Sequence, residues 1–145
     1  MGNLNYIENN SFKYTVGGEG DPIIVLHGLM GGLGNFKGFL EKFPDLGYQV
    51  FMPELPIYSA SLLDTNVKFF AKYINTFIKK LGLKKVILVG NSLGGHVALV
   101  HAKLFPLNTK ALVLTGSSGL YENAMGDTYP RRGDYDFIKN KTQII

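Results

Sequence analysis

Apolar positions follow two spacings along the chain, one typical of buried strands and one typical of amphipathic helices. Four continuous apolar runs have the length of strands that are buried on both faces. We predict strands at residues 22–28, 48–55, 84–90 and 110–116, and helices at 34–43, 64–81 and 93–105. Because strands alternate with helices, this pattern predicts an α/β fold with a mostly parallel, doubly wound sheet and helices on both faces.

Polar residues mark the ends of several predicted elements. Residues 9–11 separate two short strand-like segments within 5–16, which we predict to form a hairpin. The second helix is expected to be capped by Asp64 or Thr65. Gly82 is expected to end that helix.

Length and composition add limits on function. The 145 residues suffice for one domain with a single core, and 46% apolar and 18% charged residues are typical of globular proteins. The net charge of +4 is spread over lysines of several helices, which argues against a nucleic-acid partner. The chain has no cysteine, no bilayer-length apolar run and no signal-like N-terminus, so we expect a cytoplasmic protein that does not enter a membrane.

Glycines after the first long strand allow a dinucleotide-binding interpretation. Gly32 and Gly34 precede a predicted helix, and Glu54 follows Gly34 by 20 residues, the spacing of a ribose-binding acid. The third glycine of that fingerprint falls on Lys37, where close packing of helix on strand needs a glycine. The alternative is a flexible loop, and we predict no cofactor and no metal.

The segment GNSLG at 90–94 fits the pattern G-x-S-x-G and lies between a predicted buried strand and a helix. A serine at such a turn takes a strained conformation that lifts its hydroxyl clear of the sheet, so we expect a positive φ at Ser92. Gly90 and Gly94 are interpreted as positions where strand and helix backbones crowd each other, and Gly95 as one that lets the helix sit close. A tight strand-to-helix turn without a catalytic role would not require the serine.

Taken in order, these motifs resemble the α/β-hydrolase fold family, in its single-domain esterase and C–C hydrolase type. The matching pieces are HGLMGG after the first long strand, MPELP after the second, GNSLGG at the turn and LVLTGSSGLYE in the fourth strand and beyond. IYSAS stands where the family usually has a glycine-rich run.

The resemblance implies one α/β-hydrolase domain over 1–145 that lacks the family's last strands, with a lid-like segment starting in 117–145. It also implies that the long strands lie side by side in a set order, with the hairpin beyond the first of them. That order is 48–55, 22–28, 84–90, 110–116.

The same resemblance implies a serine hydrolase that acts on carboxylic esters or on related acyl or C–C bonds. Ser92 would be the nucleophile, and the backbone N–H groups of Leu29 and Leu93 would form the oxyanion hole. The partner would be a small, ester-like substrate.

The base of such a site is missing from the sequence. In the family an acid and then a histidine follow the serine, and no histidine occurs after His101. His101 lies nine residues beyond Ser92, about 13 Å along a helix, and is out of reach. His96 is interpreted as a partly exposed helix residue, and His27 as a structural part of the oxyanion loop.

Charged residues near the C-terminal end receive no catalytic role. None of the later acids is nominated, and the adjacent arginines are interpreted as a solvated pair, with selection of acidic substrates as the alternative. These residues are Glu122, Asp127, Asp134, Asp136, Arg131 and Arg132.

Two features predict that the chain is a truncated hydrolase. Residues 135–145 look like a helix without a cap, and 110–116 would be an uncovered apolar edge strand through which copies could self-associate. The chain alone is then expected to be weak or inactive. The alternative is a non-catalytic fragment or ligand-binding module of the same fold.

Overall fold

The computed structural model describes residues 4–29, 33–58, 66–118 and 143–144, which include one seven-stranded sheet. The strands are β1 (Asn5–Glu8), β2 (Lys13–Gly17), β3 (Asp21–Leu26), β4 (Tyr48–Pro53), β5 (Val86–Asn91), β6 (Thr109–Thr115) and β7 (Gln143–Ile144). Their order across the sheet is β1-β2-β4-β3-β5-β6-β7. The predicted order of the four long strands, with the hairpin beyond β4, is confirmed.

Strand directions create a crevice at one end of the sheet. The β1–β2 hairpin and the β2–β4 pair are antiparallel, whereas β3 pairs in parallel with β4 on one side and β5 on the other. After β3, the chain therefore forms β4 on one side of β3 and then β5 on the other side. Ligands of such sheets bind beyond the carboxyl ends of the strands at this reversal, which here lies between β3 and β5.

Three α-helices connect the strands: α1 (Lys37–Lys42), α2 (Val67–Lys80) and α3 (Leu93–Leu104). The expected cap of α2 is wrong, because Asn66 is the capping residue and its side chain accepts a hydrogen bond from the Phe69 N–H at 2.8 Å. Asn66 carries a suitable acceptor directly before the first helical residue, whereas Asp64 and Thr65 lie outside the described residues. Gly82 follows α2 with a φ of 69°, as expected of a glycine that ends a helix. Within the described ranges, no helix has the length and apolarity needed to cross a membrane.

Two apolar cores lie on opposite faces of the sheet. Phe77 of α2 and Leu99 of α3 belong to the larger core and are almost completely buried. Leu40 of α1 belongs to the smaller core on the other face. Ile24 lies in the first core and its neighbour Ile23 in the second, so β3 is buried on both faces, as its continuous apolar run predicts.

The strand β7 corrects two expectations about the C-terminal end. Gln143–Ile144 is extended and pairs in parallel with Ala111 and Leu112 of β6, so residues 143–144 are not helical and β6 is not an uncovered edge there. The reason is that an apolar edge strand gains hydrogen bonds from a partner strand. Residues 119–142, which hold most of the predicted lid-like segment, lie outside the described residues. Self-association stays a prediction.

His101 is a buried histidine between α3 and β6. Its Nδ1 lies 3.2 Å from Thr109 Oγ1, and its ring lies 5.1 Å from the Phe105 ring. Because the Thr109 hydroxyl donates to the Phe105 carbonyl at 3.4 Å, it accepts from His101 Nδ1–H, and Nε2 has no hydrogen-bond partner among the described residues. Burial lowers the pKa of His101, and of the equally buried His96, to about 4. Both side chains are neutral at pH 7.

We expect the free energy of unfolding to fall as the pH drops from 6.5 towards 4. In this window the unfolded chain, with ordinary histidines of pKa 6.5, binds more protons than the folded chain. Each histidine contributes a slope of at most about 1.4 kcal/mol per pH unit. Urea unfolding at several pH values measures the loss, and His101→Leu should reduce it because leucine does not titrate. The same pH dependence in both proteins would contradict this explanation.

Candidate active site

Ser92 occupies a sharp turn between the end of β5 and the start of α3. Its φ is 52° and its ψ is −118°, and within the described ranges no other residue except glycine has a positive φ. The predicted positive φ is confirmed. Such a conformation costs about 1–3 kcal/mol and persists only where the surrounding structure holds it. Ser92 is exposed and its side chain makes no capping hydrogen bond, so the hydroxyl is available at the end of the sheet.

The glycines around Ser92 stand where backbones come too close for a side chain. A Cβ on Gly90 would lie 2.5 Å from the Cα of Gly95, at the start of α3. A Cβ on Gly94 would lie 2.5 Å from the carbonyl carbon of Leu26 and 2.7 Å from the carbonyl oxygen of His27. The crowding of strand and helix backbones is therefore present, although Gly94 faces the end of β3 and not β5.

The loop after β6 holds the Ser92 turn from a third direction. A Cβ on Gly95 would lie 2.5 Å from Ser117 Oγ, so this glycine makes room for the loop. The backbone N–H and the hydroxyl of Ser118 both donate to the Ser92 carbonyl oxygen at 3.3 Å, and the His96 N–H donates to it at 3.2 Å. Three donors thus fix the carbonyl group that leads out of the strained residue.

Asn91 ties the end of β5 to the end of β6. Its Nδ2 donates to the Thr115 carbonyl oxygen at 2.7 Å and to the Thr115 hydroxyl oxygen at 3.2 Å. That hydroxyl donates to the Gly90 carbonyl oxygen at 3.4 Å. Asn91, Thr115 and Ser118 were not predicted as supports of the turn, because polar residues at or after the ends of adjacent strands mark such a region without showing which of them bind to it.

The turn after β3, residues 27–29, lies beside Ser92. A Cβ on Gly28 would lie 3.1 Å from the Ser92 Cβ. Leu29 is 55% exposed, and its carbonyl oxygen accepts a hydrogen bond from the Tyr58 hydroxyl at 3.3 Å. Leu93 is the first residue of α3, where a helix leaves the N–H without an intrahelical partner. Leu29 follows Gly28 and Leu93 follows Ser92, so each lies one residue from this contact. Their role as oxyanion donors stays a prediction.

His27 connects this turn to the chain after β4. The Leu55 N–H donates to His27 Nε2 at 3.2 Å, so that nitrogen carries no proton. Nδ1 must then carry the proton of the neutral ring, and it donates to the Gly28 carbonyl oxygen at 2.9 Å. Both ring nitrogens are engaged, which supports the structural interpretation of His27.

The expected exposure of His96 is wrong, because only 1% of the residue is exposed. All nine residues from Gly94 to Ala102 are buried, since α3 packs between the sheet and α2. A helix that is apolar on every side signals such burial, and this segment has only its two histidines as polar members. The candidate acids and arginines between 122 and 136 lie outside the described residues.

The dinucleotide interpretation fails on geometry. Gly34 lies in a 3₁₀ turn over Leu33–Phe36, and a Cβ there would meet nothing within 4 Å. No close backbone approach requires a glycine at that position, and Gly32 lies outside the described residues. Among the residues that the structure describes, no cluster of three or more His, Cys, Asp or Glu side chains could hold a metal ion.

Comparison with known proteins agrees with this geometry. The family profile described as alpha/beta hydrolase fold matches residues 21–142. The crystal structure of an alpha/beta hydrolase enzyme from the metagenome of sediments of the Mar Chica lagoon, Morocco, is 54% identical, with a TM-score of 0.78 over 81% of this chain and 54% of that chain. The chain belongs to the α/β-hydrolase fold family.

Two curated relatives come from Comamonas testosteroni. The 2-hydroxy-6-oxo-6-phenylhexa-2,4-dienoate hydrolase is 32% identical over 74% of this chain and 40% of its own length. The 2-hydroxy-6-oxononadienedioate/2-hydroxy-6-oxononatrienedioate hydrolase is 34% identical over 80% of this chain and 43% of its own length. The chain thus spans less than half the length of these relatives.

We expect Gly94→Ala to destabilise the fold by about 1–3 kcal/mol or more, because the new methyl group would meet backbone atoms of Leu26 and His27 that cannot move aside. Gly38→Ala is the matched control, since a Cβ there meets nothing within 4 Å and the position lies inside α1. The control should stabilise by at most about 1 kcal/mol. Urea unfolding measures both, and equal stability of the two variants would contradict the crowding argument.

Proposed function

We propose that the protein is a serine hydrolase in which Ser92 is the nucleophile and the N–H groups of Leu29 and Leu93 stabilise the oxyanion. The observation that carries this proposal is the positive φ of an exposed Ser92 at the β5–α3 turn. A serine that precedes a helix ordinarily uses its hydroxyl as a cap, and here it does not. The surrounding backbone and hydrogen bonds hold Ser92 in this strained conformation, and strain that is held in this way is a reason to infer function.

The proposed reaction begins when the Ser92 hydroxyl attacks the carbonyl carbon of a substrate in the crevice between β3 and β5. The carbonyl oxygen gains negative charge, which the two N–H groups and the positive N-terminal end of α3 would stabilise. The substrate class is a small ester or a related molecule with an acyl or C–C bond to break. The names of the two relatives from Comamonas testosteroni, a hydrolase of an oxo-dienoate and a hydrolase of an oxo-dienedioate and an oxo-trienedioate, support this class.

The proton of the Ser92 hydroxyl needs a base that the three histidines of the chain do not supply. Both ring nitrogens of His27 are engaged. His96 and His101 are buried, and because burial lowers the pKa of each to about 4, they are weak bases. We therefore expect the chain alone to be nearly inactive. The same observation favours the second candidate function, a non-catalytic ligand-binding module of this fold.

A fluorophosphonate probe, which reacts with activated serines, tests the proposal. We expect slow labelling of the 145-residue chain, located at Ser92 by peptide mass spectrometry and abolished in Ser92→Ala. A version extended by a histidine-bearing C-terminal part should react at least about 10⁴-fold faster, since loss of a triad member costs at least that much.

Two results would contradict the proposal. One is labelling of both chains at serines other than Ser92. The other is turnover of p-nitrophenyl acetate by the short chain at enzyme-like rates that His96→Ala abolishes, because a buried residue of α3 would then be the base. Circular dichroism of each variant checks that the fold is retained.

A further inference from the structure

A cavity beyond the carboxyl end of β4 combines one carboxylate with several aromatic rings. Its volume is about 450 Å³, and Glu54 together with Phe12, Tyr58 and Tyr73 lines it. We call it the acid–aromatic cavity. Because the Tyr58 hydroxyl donates to the Leu29 carbonyl oxygen at 3.3 Å, the cavity lies next to the turn 27–29.

The Glu54 carboxylate has no salt-bridge partner among the described residues, and Lys13 offsets its charge only in part, because Lys13 interacts first with Glu8. Glu54 is half-buried. Its Oε1 accepts a hydrogen bond from the Tyr6 hydroxyl at 3.3 Å, and a carboxylate can accept several more. Lys13 also lines the cavity, but its Nζ lies 2.7 Å from Glu8 Oε1, so that pair is neutral.

The Lys80 ammonium does not line the cavity, but it donates to Ser11 Oγ at 3.1 Å and lies 5.7 Å from the centroid of the Phe12 ring, so that side is positive. Among the described residues, the negative charge of the cavity is therefore concentrated at Glu54, beside Tyr73.

The aromatic rings add a second attraction for positive charge. The rings of Phe12 and Tyr73 pack with centroids 4.9 Å apart, and the Tyr73 hydroxyl donates to the backbone carbonyl of Glu54 at 3.4 Å. Burial, and after it the Glu54 carboxylate, raises the pKa of Tyr73, so the phenol stays neutral. The faces of neutral aromatic rings attract cations, most strongly where water is partly excluded.

We propose that the acid–aromatic cavity binds an organic ammonium group and that the substrate carries this group. Glu54 supplies the opposite charge, the rings of Tyr58 and Tyr73 contact the substituents on nitrogen, and Tyr58 connects the cavity to the turn beside Ser92. The second part rests on the proposed function. A carboxylate, such as the names of the two Comamonas testosteroni relatives denote, would be repelled by Glu54 if placed here, so the cavity narrows the proposed class to substrates with a cationic group at this end.

Equilibrium binding of three isosteres tests the site without any turnover. The probes are choline, its neutral analogue 3,3-dimethylbutan-1-ol and the anion 3,3-dimethylbutanoate, titrated into the ¹⁵N-labelled chain and followed by NMR shifts. We expect choline to bind about tenfold more tightly than the neutral analogue, and the anion not to bind. Choline that binds no better than the neutral analogue would overturn the proposal, and this comparison needs no variant.

Substitutions of single acids test whether the charge of Glu54 attracts choline. Glu54→Gln should bring choline down to the affinity of the neutral analogue, a loss of about tenfold. Glu8→Gln should weaken choline by a smaller factor, because it frees the Lys13 ammonium beside the cavity. The control Glu41→Gln removes an acid that pairs with Lys37 on α1 and does not line the cavity, so choline binding should be unchanged. Unchanged binding in a folded Glu54→Gln would overturn the proposal.

The choline experiment and the fluorophosphonate experiment can fail independently of each other. Labelled Ser92 without selective choline binding would overturn the cavity alone. Selective choline binding without any labelling of Ser92 would support the ammonium site and overturn its assignment to a serine-hydrolase substrate.

Discussion

The candidate site depends on the close approach of three backbones that leave no room for a side chain. The end of β5, the first turn of α3 and the end of β3 meet at Gly90 and Gly94, where any Cβ would overlap main-chain atoms. This approach forces the intervening Ser92 into a positive φ. It also brings Gly28 against Ser92, so the turn after β3 reaches Ser92 only because two glycines let the backbones approach.

Most of the fold could be predicted from the sequence because it rests on local pattern. The apolar runs of β3 and β5 are continuous because both faces are covered, and chirality then limits how the connections run. Local pattern could not show which residue completes an edge, and so β7, formed by Gln143–Ile144, was missed. Two residues have no readable periodicity, and their pairing depends on the exposed edge of β6.

The candidate site, like the fold, could be predicted from the sequence only in part. Ser92 and its glycines could be predicted, since backbone conformation restricts residue type within five positions. The supports Asn91, Thr115 and Ser118 could not be assigned, because they act across two strands and carry ordinary polar side chains. His96 was misjudged because helical spacing predicts one exposed side, whereas α3 is covered on all sides.

The hydrogen bonds from Ser118 to the Ser92 carbonyl have a consequence for how the protein is made. These donors come from 26 residues later in the chain, beyond β6. During synthesis, Ser92 leaves the ribosome well before Ser118, so its carbonyl first lacks two of the three donors that hold a conformation costing about 1–3 kcal/mol. The turn therefore gains its last supports late, when the segment after β6 reaches it. A nascent chain that stops short of β6 has the crowded glycines around the serine but not the hydrogen bonds from Ser118.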